Sequence, residues 1–143
     1  MDHLVHSRVA LNDPTQLGYS YMQVYADLTA LVVKDKPGFM ALLIDGCYGL
    51  PRYIDAVYPL ARVHVIEIDP WVTEVCYREL GLDRNSRVVA HQDDARSLIL
   101  GWNGALRFDV IYGDAFNDLS MPYHLTTVEF HQMLYDMLTD DGV

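Results

Sequence analysis

Four short aliphatic runs separated by helical patterns limit what this chain can fold into more than any other feature. Met40 to Ile44 (MALLI), Arg62 to Glu67 (RVHVIE), Ser86 to His91 (SRVVAH) and Phe108 to Gly113 (FDVIYG) are rich in aliphatic and β-branched residues. Short runs of that kind suit strands buried on both faces. Their alternation with helices is the signature of βαβ units feeding a parallel sheet. The clearest intervening helix takes Asp69 as N-cap and Pro70 at its first position, sets Val72, Val75, Cys76 and Leu80 on one face, and stops at Gly81. Asp94 and the Thr126/Thr127 pair cap two more, the second burying Phe130, Met133, Leu134, Met137 and Leu138. Ahead of the turn Lys34-Asp-Lys-Pro-Gly38, the residues Leu17, Tyr21, Val24, Leu28 and Leu31 recur at helical spacing, which predicts an amphipathic helix carrying that stripe.

A chain of 143 residues, 51% hydrophobic, fits one domain able to bury a core. The expected organisation is an amino-terminal segment and helix over 1–38, then a core over 39–143. The net charge of −10 opposes nucleic-acid binding, because phosphate recognition needs clustered Lys and Arg and the ten basic residues are scattered among twenty acidic ones. An acidic surface suits a small cationic partner, though it equally serves solubility. Cys47 and Cys76 lack CxxC spacing and read as core residues. His3 and His6 are three apart and the other histidines have no partners at ligand spacing, so no metal is expected. No apolar run approaches the roughly 20 residues that span a bilayer, and Met1 to Arg8 does not look like a signal peptide. The expectation is a cytoplasmic location. Leu138-Thr-Asp-Asp-Gly-Val143 reads as a helix end, a turn and the first residue of another strand, so the expected sheet lacks its carboxyl-terminal strands.

In an open parallel sheet, ligands bind outside the carboxyl ends of the strands, where strand order reverses. The first strand runs into Asp45-Gly-Cys-Tyr-Gly49, where Gly46 and Gly49 let backbone approach a ligand before a helix opens near Leu50-Pro51. The second ends at Glu67, about 20 residues on, placed to accept hydrogen bonds from both ribose hydroxyls of a nucleotide. Asp69, just beyond, is better read as a helix cap. The third is followed by Asp93-Asp94, and the Asp94 carboxylate can accept the exocyclic amine of adenine or serve simply as an N-cap. Together these point to adenosine. The fourth ends at Asp114, which can take a proton from an amine nucleophile or merely turn the chain. Tyr19, Tyr21, Tyr25 and Tyr53 are candidates for a cation cage or for packing.

These residues resemble the spermidine and spermine synthase family of polyamine aminopropyltransferases, especially the branch often fused to membrane segments. The likeness rests on His6-Ser7, Asp13-Pro-Thr-Gln-Leu-Gly-Tyr-Ser-Tyr21, Leu50-Pro-Arg-Tyr53, Glu67-Ile-Asp-Pro70, Asp94-Ala-Arg96, Gly113-Asp-Ala-Phe-Asn-Asp-Leu119 and Pro122-Tyr-His-Leu-Thr-Thr127, continuing to Glu129-Phe130. The resemblance implies an α/β, Rossmann-like sheet of the class I methyltransferase type with flanking helices. It also implies transfer of an aminopropyl group from decarboxylated S-adenosylmethionine to an amine such as putrescine, without a metal, by a homodimer. In that scheme Gly46, Gly49, Glu67 and Asp94 bind the donor, Asp114 is the catalytic base, and Tyr21 and Asp118 line the amine site. Asp45 and Cys47 replace two glycines of the family's GGGxG loop, and Tyr48 stands where typical synthases place an acid against the donor's amine. Methyl transfer from S-adenosylmethionine on the same sheet is the alternative function, and a non-catalytic binding module of the same fold is a third.

Overall fold

The computed structural model describes residues 8–44, 46, 48–116 and 120–143. Four parallel strands form one sheet in the order β3-β2-β1-β4: β1 Met40–Ile44, β2 Arg62–Glu67, β3 Val88–Gln92 and β4 Val110–Gly113. β1 and β2 match the aliphatic runs residue for residue. β3 and β4 start two residues later than those runs. The cause at β3 is the Asp83 carboxylate, which accepts the Asn85 N–H at 2.8 Å and holds the chain in a turn. At β4, Phe108 gives its N–H to Met137 rather than to the sheet.

β1 buries both faces, while β2 and β4 bury one face and part of the other, so helices cover the sheet on each side. On one face Ala41, Leu43, Val63, Val65, Val110 and Tyr112 pack against Leu50 and Ile54 of α2 (Gly49–Val57) and Cys76 of α3 (Pro70–Glu79). On the other, Leu42, Ile44 and Ile66 meet Ala95 and Ile99 of α4 (Ala95–Trp102) and Phe130 of α5 (Val128–Asp136). Caps set the helix starts as the sequence implies. Asp69 accepts from Trp71 N, Asp94 from Ser97 N and Thr127 from Phe130 N, each closing a first turn whose N–H groups have no intrahelical acceptor. Gly81, at φ +70, ends α3. Beside β4, Ile111 donates to Val143 O at 2.8 Å and Val143 donates to Asp109 O at 3.1 Å.

The first helix, α1 (Ser20–Val32), forms where expected but presents a different face. Its core side is Met22, Ala26 and Thr29, while Val24, Leu28 and Leu31 are 55%, 49% and 69% exposed. Small Ala26 and Thr29 allow close approach, and the Thr29 hydroxyl hydrogen-bonds both the Tyr25 carbonyl and the buried Tyr112 hydroxyl. Turning the larger stripe inward would leave that tyrosine hydroxyl unpaired in the core. α3 keeps most of its expected face, with Cys76 buried and Val72 and Leu80 packed against the core, but Thr73 is buried and Val75 is exposed.

Arg52 is buried, donating Nε to Gly81 O at 3.0 Å and Nη2 to Ala10 O at 3.3 Å. One side chain of α2 thereby holds the end of α3 and the amino-terminal segment, two of its donors finding carbonyl acceptors out of water. His64 and His91 stack with Nδ1 and Nε2 2.9 Å apart, in edge contact with Trp102. Burial, and after it the neighbouring His91, pushes His64 down to about 4, so the pair packs as neutral imidazoles. Cys76 is buried with its thiol donating to Gly46 O at 3.9 Å, and Cys47, His3 and His6 lie outside the described residues. Among the described residues no helix is long and apolar enough to cross a membrane.

Candidate active site

The strand order reverses between β1 and β4, since β1 is followed in space by β2 on one side and β4 on the other. The carboxyl ends of those two strands therefore flank the crevice where such sheets bind ligands. Gly46 follows β1 and Asp114 follows β4, with Asp114 N donating to Ile44 O at 3.0 Å.

On the β2 side, Glu67 Oε1 accepts the Asp69 N–H at 2.7 Å, which fixes the carboxylate at the strand tip. Burial raises its pKa, and the backbone N–H groups that reach it act the other way. Its Oε2 lies where a side chain at residue 46 would begin: a Cβ on Gly46 would sit 1.9 Å from that oxygen. Gly46 thus earns its place through contact with Glu67. Because the clashing atom is the end of a flexible side chain, Gly46→Ala is expected to fold normally while displacing the carboxylate. The thermal midpoint of Gly46→Ala should then stay level, and a large drop would show that the Glu67 side chain cannot give way.

Gly49 is the first residue of α2, and a Cβ on it would meet the Met22 side chain of α1 at 3.4 Å. Tyr48 is drawn into the core. It adopts a left-handed backbone (φ 52) as N-cap of α2, its ring is fully buried, and its hydroxyl meets Thr73 Oγ1 at 2.9 Å. Burial pushes the phenol pKa far up, so the ring is a neutral core element and cannot stand in for an acid facing a donor's amine.

Asp94 performs two tasks at once. Oδ1 caps α4 through Ser97 N at 2.9 Å, and Oδ2 is 2.7 Å from His124 Nε2. Burial alone would raise its pKa, but the Ser97 N–H and His124 outweigh it and hold the carboxylate below its usual range. The cap reading of Asp94 is therefore right about one oxygen. The other belongs to a contact across 30 residues of chain.

Asp114 is half-buried, and burial raises its pKa, while a hydrogen bond from Tyr21 opposes the rise. The tyrosine and the aspartate, 93 positions apart, are thus brought together by packing α1 beside β4. Tyr21 stacks on Tyr19 with ring centroids 5.9 Å apart and meets Tyr25 edge-on at 5.6 Å, and Tyr25 in turn leans on Tyr112. Tyr19, Tyr21 and Tyr25 accordingly form one ladder from the core to the acid, whereas Tyr53 packs against the core cluster of the same face. Asp118, Asp45 and Cys47 lie outside the described residues.

Two side chains at the β2 tip escaped sequence reasoning. Ile68 and Trp71 are 67% and 73% exposed beside Glu67, an apolar surface next to a hydrogen-bond acceptor. Their only sequence signal was two large apolar residues interleaved with acids after a strand. His124 had no signal beyond its position in the motif.

No family model matches the chain. The polyamine aminopropyltransferase of Vibrio vulnificus is 29% identical over 133 residues, which span 92% of this chain and 44% of that protein. An eEF1A lysine and N-terminal methyltransferase of Danio rerio is 34% identical over 89 residues, 61% of this chain and 13% of that protein. Among solved structures, the probable spermidine synthase of Corynebacterium glutamicum superposes with a TM-score of 0.81 at 26% identity, covering 94% of this chain and 49% of that one. The chain spans about half the length of the aminopropyltransferase relatives it matches.

Proposed function

We propose that this chain, a relative of the spermidine synthase family of aminopropyltransferases, transfers an aminopropyl group from decarboxylated S-adenosylmethionine to a small amine such as putrescine, leaving methylthioadenosine. The observation that carries the reading is the meeting of Tyr21 and Asp114 at the switch point of the sheet, alongside Glu67 and Gly46.

The residues fit such a donor. Glu67 offers acceptor lone pairs for ribose hydroxyls, Gly46 leaves that carboxylate unobstructed, and Asp94 offers an acceptor for adenine's amine. The donor supplies a sulfonium whose departure as a neutral thioether needs no acid. The chain's work is then positioning and proton removal. Asp114 takes the proton from the attacking amine; the nitrogen lone pair forms the new C–N bond as the C–S bond breaks, its electron pair staying on sulfur. A carboxyl raised above the ordinary aspartate range is a stronger base than a solvated one, which suits that step. Tyr21 orients the carboxylate and, with Tyr19, offers aromatic faces to a cationic chain. Asp118 is proposed as a further amine contact. A cytoplasmic location, a homodimer and fusion to membrane segments belong to the same proposal, supported by the resemblance.

The second reading is methyl transfer from S-adenosylmethionine to an amine, favoured by the 34% identity with the Danio rerio methyltransferase. Both reactions move an alkyl group from a sulfonium to nitrogen, so the same base serves either. Incubating the protein with putrescine and each donor separately, with products identified by mass spectrometry, decides between them. Spermidine with methylthioadenosine is expected. A methylated product would replace the proposal with the second reading, and binding without turnover of either donor would favour a non-catalytic module.

A further inference from the structure

The turn Tyr123–Leu125, which follows the acidic loop, is pinned around one residue. Arg96 Nη1 donates to His124 O at 2.8 Å and to Thr127 Oγ1 at 2.9 Å, and Leu125 is buried beneath it. Held at both ends, His124 turns its ring back toward β3 and brings Nε2 within 2.7 Å of Asp94 Oδ2. The Asp94 carboxylate is thereby gripped on both oxygens, Oδ1 by the Ser97 N–H and Oδ2 by His124. The Ser97 side chain adds a further hydrogen bond to this carboxylate, so of its roughly four acceptor directions one stays open, in a plane fixed from both sides. Without the imidazole, the carboxylate would be held from the Ser97 side alone and could rotate further about its terminal bond.

We propose that His124 is a positioning residue: it orients the Asp94 carboxylate so that the site distinguishes an adenine amine from a 6-oxo purine. The inference rests on the reading of Asp94 as the adenine contact. An oriented acceptor gains a hydrogen bond from a 6-amino group and is repelled by a 6-oxo group, so fixing its direction sharpens the choice between the two bases. The same grip joins the purine end of the site to the segment that follows Asp114, because Arg96 and Asp94 both leave α4 or its cap and both end on 124–127.

The test is calorimetric titration of the full chain with methylthioadenosine and, separately, methylthioinosine. The wild type should prefer the adenine compound. His124→Ala should lose about tenfold in affinity for methylthioadenosine with little change for methylthioinosine, and His124→Gln, whose amide nitrogen reaches about as far as Nε2, should restore the preference. Equal weakening of both nucleosides in His124→Ala would mark a merely structural role and overturn the proposal, as would a preference retained in full. Binding of neither nucleoside by the wild type would overturn the donor site itself, whereas a wild type that discriminates together with an alanine variant that does so equally well would remove only the role of His124.

Discussion

Asp114→Asn is expected to lower the rate of amine alkylation by about 10²- to 10⁴-fold, the range for loss of a positioned general base, while leaving the fold intact. Two observations separate the effects. Burial raises the Asp114 pKa, so folding favours its protonated form. That contribution to stability is fully present below the ordinary aspartate pKa of 3.8 and is lost as pH rises through the raised folded value. At neutral pH the charged carboxylate is a burden on the fold, and the neutral amide removes it while still accepting from Tyr21. The thermal midpoint should therefore stay level or rise slightly. The wild-type rate at saturating donor should climb with pH through an inflection above the usual carboxylate range, as the base loses its proton. In Asp114→Asn that inflection should vanish. A variant that retains the wild-type rate and its pH profile would show that the proton leaves by another route.

Tyr48→Ala is expected to cost about 3–5 kcal/mol of stability, as removal of a large buried ring does, and to lower the thermal midpoint by roughly 10 °C. The ring packs with Leu50 and Ile54 against the sheet, and its hydroxyl is the partner of Thr73. Tyr48→Phe keeps the ring and should cost only about 1 kcal/mol, the value of one hydrogen bond. The backbone adds a less usual expectation. At φ 52, a side chain is strained by about 1–2 kcal/mol where glycine is not. Tyr48→Gly should accordingly be less destabilised than Tyr48→Ala, the reverse of the order in ordinary helical positions. Denaturant unfolding of the three variants measures the series. Unchanged stability in Tyr48→Ala, combined with altered donor affinity, would mean that the ring faces the ligand.

Tyr48 also shows where sequence reasoning reached its limit. Its place in the Gly46 loop was legible, and so was the absence of charge, but the direction of the side chain was not. An N-cap in the left-handed conformation turns its Cβ away from the course that extended backbone would give it, and a single φ angle sends the ring into the core. Asp94 was legible as a cap because capping is local, three residues from acceptor to donor. Its second partner was not, because His124 arrives from the far side of β4.

By itself the sequence determined the alternation of strands and helices, the caps at Asp69, Asp94 and Thr127, and the acids at the strand tips. Those depend on periodicity and on hydrogen bonds between near neighbours, which a linear string carries. Only the tertiary structure decided which face of α1 is buried, since a helix with apolar residues on two sides offers two solutions until Thr29 finds the Tyr112 hydroxyl. It alone set Tyr21 against Asp114 and His124 against Asp94. Pairs so distant along the chain are chosen by the packing of whole elements, and no local pattern records that choice.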